Sequence, residues 1–414
     1  MQINILTHHP FEALHQNATK VIQAAIDRCF AAGGGEVVVP GAGTYMIDGI
    51  QLKSHVTLRL EAGAVLKGTG DETRYIKRPG PFELIKNQTP ITGLITATGA
   101  TDIAIVGAGT IDGHYEAFIY PHQGNEQHLK FYHYPRPMTV YLEACTHVKI
   151  SGVTIQNAPF WTVHLVGCED TEIDAIKIHN EMRMPNTDGI DVDRSKHTKI
   201  HDCEIVTGDD AICPKCTEET AQYGDCTDLT VTRCTLITRS SAVKFGSSSF
   251  GNFENCQFSD LVIRDTNRGI AFQLRDPGSA RHISFRNISI KTKTFTKEWW
   301  GSGEPIYVTL APRDRATDLT GQVIEAIQFE NVTCEAGNGI FVYADGGTVR
   351  DLTFKNVKLA LTRPFSTTTQ FDLRPNEVPE TVTADHIGLN VDSTSHVTCE
   401  DVTLTDCDGA KIQY

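Results

Sequence analysis

The sequence predicts an all-β fold, a single-stranded right-handed parallel β-helix with a short N-terminal capping helix. Three observations predict it: an apolar template that recurs along most of the chain, Asn and Asp at its bends, and an amphipathic segment leading into the first coils. From residue 148 onward, apolar side chains fall at offsets 0, 2, 5 and 7. The template matches Val148, Ile150, Val153 and Ile155, and again Leu229, Val231, Cys234 and Leu236. Further copies start at Cys256, Ile283, Ile327, Leu352 and Val397, while two copies place Thr171 and Thr198 in the first slot. Offsets 0 and 2 share one face of a strand, and the three-residue step to offset 5 spans a tight bend into the next strand. Starts lie 23 to 31 residues apart, or about 45 where a coil is expanded. A repeat of this length means stacked units, none of which buries its apolar face alone. A leucine-rich horseshoe is the competing solenoid, but its Leu consensus and the room for its helices are missing.

Before the repeat, Val21, Ile22, Ala25, Ile26, Cys29 and Phe30 are spaced for a helix over Thr19 to Phe30, which Gly33-Gly34-Gly35 stops. This segment, within a cap at about 15–35, covers the open end of the solenoid. Strands are expected at Glu36 to Pro40 and His55 to Leu60. The whole chain, 1–414, reads as one β-helix domain with two loop expansions, at about 114–137 and 292–305. Both are rich in aromatic residues, the second containing Trp299-Trp300-Gly301-Ser302-Gly303-Glu304-Pro305. Long loops on a rigid scaffold carry binding or pack against its flank.

With 40% hydrophobic and 21% charged residues, the 414-residue chain has ample apolar surface to bury. A net charge of −14 argues against a nucleic-acid partner, whose phosphates require Lys and Arg. A polyanionic substrate is not excluded, because exposed charges farther than roughly 8 Å away are screened at physiological salt. No stretch reads as a membrane span, and MQINILTHHPFEALHQ lacks the basic and apolar regions of an export signal. The expected location is therefore cytoplasmic, with the 12 cysteines reduced. Cys203, Cys234, Cys256, Cys334 and Cys399 occupy core slots of the repeat. Cys213-Pro-Lys-Cys216 has the spacing of a zinc half-site, but no second pair completes it, so no metal or other cofactor is expected.

The candidate chemistry lies between Pro185 and Lys215. Asn186-Thr187-Asp188-Gly189 and Gly208-Asp209-Asp210 are separated by 21 positions from Asp188 to Asp209, close to one coil. Asn, Asp and Gly are common at bends, so either cluster alone would be unremarkable. One coil apart they bring three carboxyl groups to one azimuth. An inverting glycosidase needs such a set: one protonated carboxyl to donate to the leaving oxygen, one ionised carboxylate to activate water. Crowding raises one pKa enough to keep the acid protonated. Strand alternation would send Asp209 and Asp210 to opposite faces, so the chain must leave β geometry at Gly208 if both serve one site.

Several further segments, Gly107 to Gly113 (GAGTIDG), Arg136-Pro137, Asn157-Ala158-Pro159-Phe160-Trp161 and Gly208 to Ile212, give a wider match. Together with Asn186 to Gly189 they make the chain resemble the polygalacturonase-type glycoside hydrolases of family 28, β-helix enzymes of the pectin-lyase-like solenoid class. The resemblance implies that Asp209 is the general acid, that Asp188 and Asp210 hold and deprotonate the water, and that Asn186 helps position them. Two motifs depart from the family pattern. Ser240-Ser241-Ala242 stands where Gly-His-Gly is usual, and Ala271-Phe272-Gln273 follows Gly269-Ile270 where Arg-Ile-Lys is usual.

The missing charge could be carried by Arg183, Arg239, Lys244, Arg268 or Arg275, each also compatible with a solvated surface. His164 or His179 could replace the lost His, each also compatible with a core or surface role. Gln273 and the Trp loop would suit a neutral sugar. The expected substrate contacts are Asn186, Lys244, Gln273, Arg275, Trp299, Trp300 and Glu304. The reading is an inverting, exo-acting hydrolase of oligosaccharides, pectin-derived or neutral, with oligomeric state open. A Ca-dependent uronate lyase on the same fold and a noncatalytic carbohydrate-binding β-helix are the alternatives.

Overall fold

The computed structural model describes residues 1–78, 91–119, 127–129, 136–377 and 379–414. The chain divides into two compact units, Met1–Gly208 and Asp209–Tyr414. In both, successive coils add parallel strands in register.

In the first unit a complete coil is Thr146–Ser151, Thr154–Gln156 and Val163–Val166. Val148 pairs with Thr171 and Ile150 with Ile173 on the next coil, and those with Thr198 and Ile200 on the one after. Offsets 0 and 2 thus lie on one strand and offsets 5 and 7 on the next, as the template requires. The bend between them takes left-handed backbone at offset 4: Gly152, Ala175 and Asp202 have φ of 75°, 52° and 57°. Asn, Asp and Gly tolerate this conformation best, which accounts for their frequency there.

The N-terminal helix is Thr19–Ala31, burying Ile22, Ala25, Ile26 and Cys29. Phe30, expected on the apolar face, is 47% exposed. It is one residue past Cys29 and therefore about 100° around the helix, where its ring lies 5.4 Å from the Lys53 ammonium. Strands Gly35–Val39 and Val56–Leu60 follow. Within the expansion at 114–137, Tyr115–Phe118 forms a short 3-10 turn. Residues 120–126 and 130–135 of it lie outside the described residues.

In the second unit the strands Ala280–Thr292, Val323–Ala336 and Thr348–Leu361 pair in register along most of their length. Each runs through a bend at a left-handed Asn, and these stack: Asn331 donates to Asn287 (3.2 Å) and Asn356 to Asn331 (2.8 Å). Inside, the offset-2 residues Phe258, Phe285, Phe329 and Phe354 form a column with ring centroids 4.9, 4.9 and 5.2 Å apart. That spacing is the distance between neighbouring strands. Phe285→Ala should cost about 3–5 kcal/mol, measured as a lower denaturant midpoint at unchanged slope. Among the described residues no helix is long and apolar enough to cross a membrane. Ten of the 12 cysteines are buried, Cys399 is half-buried and Cys407 is exposed.

Candidate active site

The strand Glu204–Thr207 ends where the sequence requires, and residues 208–211 form a bend before the strand Ile212–Lys215 begins. A side chain at Gly208 is impossible, because its Cβ would stand 2.2 Å from the Met184 carbonyl oxygen. The Gly208 N–H donates to Thr187 Oγ1 at 3.2 Å, and Thr207 Oγ1 donates to the Thr187 carbonyl. The residues immediately preceding Asp188 and Asp209 are therefore bonded to each other.

Asn180, which sequence reasoning missed, organises this region. It is 7% exposed. Its Oδ1 accepts from the Ala158 N–H at 2.9 Å, and its Nδ2 reaches Thr162 Oγ1 (2.7 Å), Thr207 Oγ1 (3.2 Å) and the Thr187 carbonyl (3.3 Å). A lone Asn carries no spacing signal, so only the fold reveals it. Asn180→Ala would leave several buried groups without this partner, at about 1–3 kcal/mol each. The expected result is lower stability and a fall in kcat with little change in KM, because Asn180 holds backbone beside the carboxylates.

Asp188 is 3% exposed and precedes the strand Ile190–Asp193. Asn186 has left-handed backbone, φ 58°, and its Oδ1 accepts from Arg136 Nη2 at 2.9 Å. The buried Arg136 guanidinium also donates to the Pro159 and Pro185 carbonyls, at 2.8 and 3.0 Å, and lies 4.7 Å from the Phe160 ring centroid. His164 is fully buried, 3.4 Å from Asp193 and edge-on to Trp161. His179 is on the surface, 44% exposed, paired with Glu204 at 2.7 Å. Arg183 is also on the surface, bonded to Glu181 at 2.8 Å.

Asp209 is half-buried, and its Oδ1 accepts the Asp210 N–H at 3.0 Å. Asp210 is buried and fully engaged: Oδ1 accepts from Ser240 Oγ (2.7 Å) and the Ser241 N–H (3.0 Å), and Oδ2 from Lys244 Nζ (2.9 Å). Burial alone would push this carboxyl up. The Lys244 and Lys215 ammonium groups, with the Lys244 and Ser240 hydrogen bonds, outweigh burial and hold it below the usual carboxylate range. The expectation that Lys244 faces sugar is corrected, since its charge is spent on Asp210. The departure at Ser240 to Lys244 thus forms the cradle of Asp210.

Lys215 was not singled out from sequence. It is 6% exposed, and its Nζ lies 3.1 Å from Cys213 Sγ. Alternation along Ile212–Lys215 puts Cys213 and Lys215 on one face. Cys213 and Cys216 instead donate to the carbonyls of Gly246 (3.1 Å) and Asn252 (3.5 Å).

Four expected substrate contacts belong instead to the interior. Glu304 is fully buried and pairs with Arg268 at 3.3 Å. Gln273, 1% exposed, donates to the carbonyls of Leu373 (3.3 Å) and Arg374 (2.8 Å). Arg275, 2% exposed, donates to the Pro375 carbonyl at 2.6 Å, and burial with nearby Arg313 draws its pKa down to about 10. Trp299 is 5% exposed, whereas Trp300 is 39% exposed. The loop thus buries one indole and presents the other. Arg239 lies 4.3 Å from the Phe295 ring centroid.

Fold and site together define a parallel β-helix that carries carboxyl groups at the bend after Thr207. The chain belongs to the glycosyl hydrolases family 28, whose model matches residues 29–296. It is 32% identical over 299 residues to a probable polygalacturonase of Vitis vinifera, a match covering 69% of this chain and 59% of that protein. The chain thus spans less than two-thirds of that relative's length. Among solved structures, an exopolygalacturonase from Thermotoga maritima superposes with a TM-score of 0.74 at 19% identity, covering 100% of this chain and 94% of the other. A family 28 exopolygalacturonase from Yersinia enterocolitica gives 0.71 at 20%, covering 100% and 79%. These likenesses establish the right-handed parallel β-helix.

Proposed function

We propose that the protein is an inverting glycoside hydrolase acting on galacturonide oligosaccharides from a chain end. Asp209 donates the proton to the leaving oxygen, while Asp210 holds and deprotonates the attacking water. One observation carries this reading: two consecutive carboxyl groups occupy opposite environments. Asp210 is locked by Lys244, Ser240 and Ser241 in its ionised form, and Asp209 is half-buried beside it. Divergent environments for neighbouring carboxyls are the mark of an acid and base pair.

A galacturonide is favoured over a neutral sugar for two reasons. Gln273, the residue that spoke for a neutral sugar, bonds backbone carbonyls instead. The curated relative from grapevine carries the name probable polygalacturonase. A calcium-dependent lyase fits less well, because the Lys244 ammonium on Asp210 Oδ2 opposes a divalent cation there. The test is a screen of galacturonide and neutral oligosaccharides with and without EDTA. Release of reducing sugar from galacturonides, unaffected by EDTA, is expected. An EDTA-sensitive unsaturated product absorbing in the ultraviolet would refute the hydrolase reading.

A further inference from the structure

Within the second unit, the strands Ile212–Lys215, Ser241–Ser247, Arg268–Leu274, Ile306–Leu310 and Ile340–Ala344 carry alternating residues inward and outward. Val243, Ile270 and their neighbours in register line the interior. The adjacent outward row follows from the pairing: Lys244 opposes Ala271, Ala271 opposes Tyr307, and Tyr307 opposes Phe341. Asp210 sits at the start of this face, bonded to Lys244.

From Ala271 onward the face is covered. A hairpin of Thr369–Asp372 and Thr381–Ala384 packs Phe371 and Leu373 into one apolar cluster with Ala271, Tyr307, Ala311 and Phe341. Phe371 stacks on Phe341 with centroids 4.0 Å apart. The chain after Asp372 is then bound by its carbonyls. Arg268 and the Tyr307 hydroxyl donate to Asp372, Gln273 to Leu373 and Arg374, and Arg275 to Pro375. Arg374 is fixed in turn by the Asp372 carboxylate at 2.7 Å. The buried Arg268–Glu304 pair lies beneath. The residues expected to grip sugar thus form the anchorage of a strap described over 369–377 and 379–384.

We propose that this strap sets chain-end specificity by ending the sugar-binding face one coil beyond Asp210. The inference rests on the hydrolase reading above and adds the element that limits the product. Only the Lys244 coil lies between the strand after Asp210 and the covered Ala271. One coil is about 4.8 Å deep, close to the length of one sugar residue along its chain. On this side of the cleavage point a bound chain therefore extends by a single sugar, and a monosaccharide is the released piece.

Thr369 and Ala384 are direct cross-strand partners, so residues 370–383 can be excised and the ends joined by a short Gly-Ser turn. A second variant, Phe371→Ala with Arg374→Ala, keeps the chain but undocks it, should excision prevent folding. Both are assayed with a galacturonide hexamer bearing a fluorophore at its reducing end. For the wild type, the monosaccharide is expected as the sole early product. For the strap variants, early products of two or more sugars are expected, with loss of the single-product pattern. Monosaccharide alone from folded strap variants, or longer early products from the wild type, would overturn the proposal while leaving the hydrolase intact. Absence of any hydrolysis by the wild type would defeat the hydrolase reading and the proposal with it.

Discussion

Asp209→Asn is expected to lower kcat by roughly 10²–10⁴-fold, the contribution of a positioned general acid, while leaving the fold intact. Asn is nearly isosteric with Asp, and its Oδ1 still accepts the Asp210 N–H that Asp209 accepts at 3.0 Å. What Asn cannot do is protonate the leaving oxygen. The loss should be smallest on substrates with good leaving groups, such as nitrophenyl glycosides, which need little protonation. Steady-state kinetics beside a thermal melt separates the cases. Wild-type turnover would remove Asp209 from the acid role, and a collapsed melting temperature would make it a structural residue.

Lys244→Met is expected to destabilise the protein by about 3–5 kcal/mol at neutral pH, the cost of breaking a buried ion pair on one side. The methionine matches the length of the lysine stem but leaves the Asp210 carboxylate buried without its 2.9 Å partner. The pH dependence follows from the two shifts. Asp210 is held below its usual range, so its stabilising contribution is full above the ordinary carboxylate pKa, about 3.9, and is lost as pH falls through the depressed value. For Lys244, burial pulls downward, but Asp210 and Cys213 outweigh it and hold the ammonium above its usual range. That contribution is full below about 10.4 and lost as pH rises through the raised value. The wild type therefore keeps the pair across the neutral range. Without the lysine, burial favours protonated Asp210, so the stability gap between wild type and variant should narrow as pH falls from neutrality. Urea unfolding of both proteins at several pH values measures the gap; a constant gap would show that Lys244 acts through packing alone.

The coils were legible in the sequence because the geometry of each coil forces a signature. Two strands share each copy of the template, and the bend between them needs a left-handed residue, so apolar offsets of 0, 2, 5 and 7 recur with Asn, Asp or Gly at offset 4 in seven of nine copies, Ala175 and Arg233 being the exceptions. The carboxylate clusters were legible for a similar reason, since Gly208 is the residue that lets the chain leave its strand. The strap was not. Its contacts are backbone carbonyls of Asp372, Leu373, Arg374 and Pro375, met by side chains about a hundred residues earlier. A carbonyl is the same in every residue, so nothing in the composition of 369–384 announced what it would cover. Gln273, Arg275 and Glu304 consequently read as sugar contacts, being polar residues on an outward face. Their burial is a tertiary effect that strand alternation does not encode. Asn180 escaped because it is a single polar residue whose partners come from other coils.

If Asp209 and Asp210 activate water for direct displacement at the anomeric carbon, the stereochemistry of the product records it. Proton NMR of a galacturonide oligomer, recorded during the first minutes of hydrolysis, distinguishes the newly formed anomer before mutarotation. The anomer opposite to the cleaved linkage is expected to appear first. Initial appearance of the same anomer, or an unsaturated sugar, would contradict it.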